Sequence, residues 1–447
     1  MVCFRAGLMP RAVIVIGAGI SGLAASLRLS NAATNVSKVT LLEASGHIGG
    51  WLQTTRTQDG AIFEHGPRGV RPAGTVGKNT LQLVSELGLE NEVLPVTYRH
   101  VASKNRYLFV GGKLCKLPSG LRSAFVTRPP FTQPIISSLL REPFVRQGEE
   151  QDESVHSFTA RRFGKELAEL AVDSLCRGIF AGNSRKLSVR SCFPTLFEAE
   201  RKFGSVLIGM IIGGGGARKD PSFTSPLVRR AQTEGWAQWS LKQGMQSLPE
   251  AMEQELRRRG VEIHRDTPVN RIQQTPDGAW EVHLDGGTMK ADHLFSSVPA
   301  KVLSRILPPS WVALGDSLQQ IDSVSVTVVN LEYDGSVLPI AVMMGGSWFR
   351  EAFGDPETVA KGHLLQRARD TVRSHLGITQ NPLRAIVKVH KDCIPQYALG
   401  HSRQLDAIFG AIEQRGVALS LIGASYRGVS VNDCIYQAQR SVDSLRG

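Results

Sequence analysis

The stretch Ala12-Val13-Ile14-Val15-Ile16-Gly17-Ala18-Gly19-Ile20-Ser21-Gly22 restricts what this chain can fold into more than any other. Five consecutive apolar residues read as a strand of a parallel sheet, buried on both faces. Gly17, Gly19 and Gly22 then form a G-x-G-x-x-G turn into a helix, with Ala18, Ile20 and Ser21 completing the loop. In such a turn one glycine permits the tight bend, one lets the backbone approach a pyrophosphate, and one lets helix pack on strand. The helix N-terminus behind them offers unpaired N–H groups and a partial positive charge to the phosphates. A second apolar run, Val39 to Leu42, ends at Glu43, 21 residues beyond Gly22. An acid at that distance hydrogen-bonds a ribose hydroxyl. Together these features predict a dinucleotide site.

The residues beyond Glu43 narrow the ligand. Ala44 to Trp51 contains a second glycine turn, Gly49-Gly50-Trp51, and Phe63 to Gly69 a third loop, Gly66-Pro67-Arg68-Gly69. These wrap something larger than a nicotinamide dinucleotide, as an isoalloxazine ring beyond the pyrophosphate requires. At the other end of the chain Leu419 to Ile422 reads as a strand, Gly423-Ala424-Ser425 as a turn, and Gly428 to Ile435 as the start of a final helix. Its N-terminal dipole, at Val429, Ser430 and Val431, would stabilise negative charge on a reduced flavin.

Composition excludes several classes. A chain of 447 residues with 42% hydrophobic and 21% charged residues is globular. No apolar run reaches the 18 residues a spanning helix needs, and Val206 to Ile212 is far too short. Cys3, Cys115, Cys176, Cys192, Cys393 and Cys434 are scattered, so they read as free thiols without a metal site or a disulfide frame. The net charge of +12 is uneven: Val96 to Arg146 holds nine Lys or Arg against one acid, Glu142. Phe125, Phe131, Ile135, Ile136, Leu139, Leu140 and Phe144 are interleaved with them. That mixture suits the surface of an anionic membrane. No motif supports nucleic acid as a partner. The first strand starts at Ala12, and the eleven residues before it are too few for a signal peptide or transit helix.

Along the chain, residues 10–95, 236–304 and 416–447 read as one FAD-binding domain of Rossmann-like α/β type built from three separated segments. Residues 96–220 read as a basic, helix-leaning, membrane-binding insertion ending in Gly213-Gly214-Gly215-Gly216, which cannot be a helix interior. A strand-rich substrate domain of mixed-sheet type runs over 305–415. Trp280 to Leu284 and Thr288 to Phe295 read as a hairpin around Asp285-Gly286-Gly287.

These motifs resemble the FAD amine-oxidase superfamily, and in detail the animal type of the protoporphyrinogen oxidase family. The resembling stretches are Gly49-Gly50-Trp51, Gly66 to Pro72, Asp173 to Gly182, Met344-Gly345-Gly346-Ser347-Trp348, Ile394-Pro395-Gln396-Tyr397 and Gly423-Ala424-Ser425-Tyr426. The resemblance implies oxidation of protoporphyrinogen IX to protoporphyrin IX in heme biosynthesis, with oxygen as acceptor and hydrogen peroxide released. The flavin does that chemistry, so no catalytic side chain is expected. It implies substrate contacts at Arg106, Arg68, Arg177, Gly178, Phe180 and Met343, with Arg106 paired to a propionate. Cofactor contacts are implied at the glycine loops, at Arg68 and at the backbone of Val269. Monoamine oxidases hold their flavin through a cysteine that Ala424-Ser425-Tyr426 lacks, so FAD is expected to be noncovalent. Another FAD amine oxidase is the rival within the superfamily. Further expectations are a homodimer, ferrochelatase as a partner, and the mitochondrial inner membrane, peripheral and facing the intermembrane space.

Two departures from the family pattern stand out. His47 replaces an arginine near the diphosphate, which turns a fixed cation into a titratable one. After Pro339 the chain passes directly through Ile340 to Met343, where relatives carry a further strand and loop. A flavin-binding chain with weak or absent turnover is the expected consequence.

Overall fold

A computed structural model describes residues 11–31, 36–118, 121–214, 223–335 and 338–446. Cys3 and the chain start fall outside them. The chain divides into two compact units: Met1–Pro95, Ser222–Asp322 and Arg403–Gly447 form one, and Val96–Pro221 with Ser323–Ser402 form the other. The basic stretch and the 323–402 segment, read from sequence as separate domains, thus share a unit.

In the first unit β1 (Ala12–Ile16) is the central strand of a five-stranded parallel sheet. On one side it pairs with β2 (Lys38–Leu42), which pairs in turn with Glu262–His264. On the other it pairs with His293–Ser296, followed by Leu419–Leu421. Val13 and Val15 enter one apolar core together with α1 (Ile20–Leu29) and the C-terminal helix Val431–Asp443. Ile14 and Ile16 enter a second core on the opposite face, with Trp280, Val282 and Leu303. A strand sealed on both faces needs an unbroken apolar run, which is why the sequence does not alternate there.

The predicted hairpin is shorter than its sequence pattern. Its return strand is Gly287–Ala291, with Ala291 opposite Trp280, and His293–Ser296 is a separate strand of the parallel sheet. Asp292 makes the handover: its carboxylate accepts the Arg11 and Ala12 N–H groups at 2.7 and 2.9 Å. Its own N–H donates to the Ala12 carbonyl at 2.9 Å.

The second unit contains a three-stranded antiparallel sheet. Its centre is β3 (Ser323–Glu332), flanked by β4 (Ile340–Gly345) and β5 (Arg384–Pro395). Ala368 and Val372 of helix Lys361–Leu376 pack on Val329 and Leu331 of β3. The join after Pro339 is closed by direct pairing, from Leu331↔Ile340 to Val326↔Gly345. β3 therefore keeps partners on both sides, and among the described residues β4 is an edge strand of this sheet.

The basic stretch contributes a hairpin, Tyr107–Val110 with Lys113–Lys116, besides its helices. Among those are α2 (Val155–Phe163), α3 (Asp173–Phe180), α4 (Pro194–Phe203) and α5 (Val206–Gly214). Gly213 and Gly214 close α5 as its last residues; Gly215 and Gly216 lie outside the described residues. Glu142, the one acid between Val96 and Arg146, is buried and caps α5, accepting from the Val206 N–H at 2.8 Å and the Ser205 hydroxyl at 2.5 Å. Arg162 of α2 reaches Glu142 at 3.1 Å and Glu200 of α4 at 2.5 Å, all three side chains being out of solvent.

Candidate cofactor cradle and substrate cavity

In the first unit the three motif glycines are held to their identity by different neighbours. A Cβ on Gly22 would stand 1.9 Å from the Gly17 carbonyl oxygen, and one on Gly17 would stand 2.7 Å from Ser297 Oγ. Gly17 also has φ +95°, which a larger residue adopts only with strain. The protein itself requires both. Gly19 is different: its φ is −68° and a Cβ there meets no protein atom within 4 Å. The open space above Gly19 is where a pyrophosphate approaches in this motif. Gly19 is also the N-cap of α1, with no side-chain cap and no acid in the first turn, so the positive helix end is left uncovered.

The other glycine turns crowd around this one. The Gly49 N–H donates to the Ala18 carbonyl at 2.8 Å, and a Cβ on Gly50 would stand 3.2 Å from the Gly19 Cα. Gly66 presses on the Trp51 carbonyl, which a Cβ would approach to 1.8 Å. Glu43 leaves β2 beside the turn. Its Oε2 accepts from the Ala18 N–H at 2.8 Å and its Oε1 from the Ser45 N–H at 2.9 Å. The Glu43 carbonyl accepts from Thr267 N–H at 2.9 Å, two residues before Val269 begins its strand. His47 Nε2 lies 2.6 Å from Gln53 Nε2, which donates to the Gly50 carbonyl at 2.9 Å. The histidine is thereby tied to the second glycine turn.

The C-terminal helix joins the cradle through Asn432, which donates to the Arg71 carbonyl at 2.8 Å, just beyond exposed Pro67, Arg68 and Gly69. Ala424 follows Gly423, whose Cβ would come within 3.2 Å of the Ser297 carbonyl. The helix end at Val429, Ser430 and Val431 is not a bare positive terminus. Ser430 Oγ accepts from the Asp433 N–H at 3.1 Å, and Asp433 Oδ2 accepts from the Ser430 N–H at 3.4 Å, which closes a capping box. An acid in the first turn offsets part of the dipole expected to act on a reduced ring.

Two side chains of this region carry no sequence signature. Ser297 donates to the Gly17 carbonyl at 2.7 Å, a contact that only the sheet order creates. Burial holds the Glu64 carboxyl above the usual range, opposed by the Met245 N–H at 2.5 Å, the Thr54 hydroxyl at 2.9 Å and then the charge of Arg68. Burial pushes the Cys176 thiol up to about 12 and the Cys434 thiol up to about 11, which disfavours the reactive thiolate at both.

In the second unit a half-open cavity of about 130 Å³ is lined by Arg177, Ala181, Val326, Met343, Gly346 and Trp348 among others. Arg177 and Met343 are thus brought to one wall. Phe180 is buried instead, edge-on to Phe193 at 5.7 Å, and its carbonyl accepts from Gln396 at 2.8 Å. Gly178 is exposed on α3, and Arg106 is exposed at the start of strand Tyr107–Val110.

Residues 20–340 match the family model for flavin containing amine oxidoreductase. Over 476 aligned residues the chain is 44% identical to protoporphyrinogen oxidase of Homo sapiens, spanning 98% of this chain and 99% of the human protein. The chain belongs to the protoporphyrinogen oxidase family. Protoporphyrinogen oxidase of Bos taurus is 43% identical over the same shares. As a member of the protoporphyrinogen oxidase family the chain is an oxidoreductase with a flavin cofactor. The aligned length exceeds the 447 residues of the chain, so the human protein holds residues without a counterpart here. A solved structure from Exiguobacterium sp. 255-15, assigned to protoporphyrinogen oxidase, superposes with a TM-score of 0.76 at 22% identity over 98% of this chain and 99% of that one. That similarity shows the mixed α/β fold with its parallel sheet.

Proposed function

We propose that the chain binds FAD without a covalent link and that its reaction is the oxidation of protoporphyrinogen IX to protoporphyrin IX, oxygen being the final acceptor. The observation that carries the cofactor assignment is the open space at Gly19, ringed by Gly49, Gly50 and the Glu43 carboxylate. Backbone N–H groups at the start of α1 would hold the pyrophosphate, and Glu43 would exchange its bond to Ala18 for a ribose hydroxyl. When bound, the flavin takes electrons from the substrate and passes them to oxygen. The residues of the chain bind and orient; none needs to act as acid or base. The 44% identity to the human enzyme supports protoporphyrinogen IX over an amine as the substrate.

Turnover is expected to be weak, because the stretch absent after Pro339 would lead into β4, the strand that carries Met343 of the cavity wall. Mispositioning by about 1 Å costs on the order of a hundredfold in rate. The deciding assay follows porphyrin fluorescence after adding protoporphyrinogen IX to the FAD-loaded chain, with spontaneous oxidation subtracted. Slow but flavin-dependent porphyrin formation is expected. A full, family-like rate overturns the impairment, and no flavin binding overturns the whole reading.

A second part of the reading is peripheral attachment to an anionic membrane, by resemblance the mitochondrial inner membrane. It rests on exposed apolar side chains beside the basic ones: Phe144 is 88% exposed, Leu140 67% and Ile211 of α5 76%. Among the described residues no helix is long and apolar enough to cross a membrane.

A further inference from the structure

We propose that Arg177 is a receptor for a carboxylate of the substrate, aimed by Asp173 and Trp348 as positioning residues. The inference rests on the tetrapyrrole reading above, whose propionates supply the carboxylates. It adds a carboxylate contact to the one expected at Arg106.

Arg177 stands in the last turn of α3, four residues after Asp173, so the two side chains share a helix face. Its Nε donates to Asp173 Oδ2 at 2.8 Å. The other Asp173 oxygen accepts the Ser184 hydroxyl at 2.6 Å, which stops the carboxylate from swinging. On its flat side the guanidinium lies 3.9 Å from the Trp348 ring centroid, well inside cation–π range. Edge and face are therefore both held. Its two terminal nitrogens make no hydrogen bond or ion pair found among the described residues, and the side chain is 54% exposed at the cavity. A planar fork with its terminal N–H groups free is suited to bidentate binding of a carboxylate.

The tryptophan is fixed in turn by the glycines before it. The Ser347 N–H donates to the Ala181 carbonyl at 2.8 Å, and a Cβ on Gly346 would stand 2.1 Å from that same oxygen. Gly345 has φ +109° and packs against Phe349, where a Cβ would come within 2.4 Å. The turn thus locks Trp348 against the end of α3. Apolar Val326, Ala181 and Met343 complete the wall, offering the body of a large ring system a dry surface beside the cation. A half-exposed ion pair contributes little to stability, so holding the guanidinium this closely is not explained by folding.

The test compares binding of protoporphyrin IX and of its dimethyl ester to the FAD-loaded chain, read by porphyrin fluorescence. The free acid should bind about tenfold tighter, since the ester cannot accept a charge-assisted bond. Arg177→Gln should cut that preference severalfold, the remainder being the contact expected at Arg106, while leaving flavin content and thermal unfolding unchanged. Arg177→Lys should recover it only in part, and Trp348→Ala should reduce it more than Trp348→Phe. A preference undiminished in Arg177→Gln, or equal binding of acid and ester by the parent chain, overturns the assignment. If the parent chain binds neither porphyrin, the tetrapyrrole reading itself fails, and this inference with it.

Discussion

Gly17, Gly19 and Gly22 look equivalent in the motif, and the structure separates them. Gly22→Ala would drive a methyl to 1.9 Å from the Gly17 carbonyl, so it should destabilise the protein even without cofactor. Gly19→Val meets only open space and should cost about 1 kcal/mol, the N-cap preference of glycine over valine. Its flavin content should nevertheless fall by about tenfold or more, because the branched side chain occupies the pyrophosphate path. Thermal unfolding of the flavin-free variants and flavin absorbance after purification check both statements. Full flavin content in Gly19→Val would remove the site from this turn. The strand, turn and helix of the motif and the place of Glu43 beside them were legible because they are set locally. Ser297, 280 residues from Gly17, was not, because its contact exists only once two strands lie side by side.

At the scale of elements, α2, α4 and α5 depend on a buried ion network. Replacing Arg162 by Met leaves Glu142 without its cation in a dry site and Glu200 with Arg161 alone, and removal of one partner of such a pair costs roughly 3–5 kcal/mol. A loss under about 1 kcal/mol in denaturant unfolding would contradict this. The network also has an acid signature. Burial pulls Glu200 upward, but hydrogen bonds and charge from Arg161 and then Arg162 hold it below its ordinary value of 4.5. A depressed carboxylate stabilises the fold above its unfolded value and ceases to do so as pH falls through the folded one. Stability should therefore decline below about pH 4.5, and Glu200→Gln should flatten that decline while lowering stability at neutral pH. The charged residues were visible in sequence, but their pairing was not, since the partners lie 38 residues apart on separate helices.

For the whole molecule the join after Pro339 has the largest consequence. β3 keeps both neighbours, and the join leads directly into β4, which carries the 45% exposed Met343. Inserting a relative's segment there should raise porphyrin formation by about a hundredfold at equal FAD loading, the scale of a 1 Å repositioning. Equal rates would show the segment to be dispensable. The basic stretch makes a separate claim. Binding to cardiolipin vesicles should be strong at low salt and be released as salt rises, because screening shortens the reach of exposed Lys and Arg. Retention unaffected by salt, or no binding at low salt, would contradict it.

The sequence alone determined the features whose physics is confined to a few consecutive residues. These are a strand buried on both faces, a glycine turn open to a pyrophosphate, an acid at the right distance, and a cluster of cations. The tertiary structure decided whatever depends on which remote segments meet. His293–Ser296 leaves the hairpin for the parallel sheet because Asp292 bonds the start of β1, a contact 280 residues long that no local pattern encodes. Likewise nothing local in the sequence pairs Arg177 with Trp348, and only the packing of the Gly345-Gly346 turn on the end of α3 stacks one on the other. Local propensity is written in neighbours along the chain; recognition geometry arises from burial, which acts between segments the chain has brought back together.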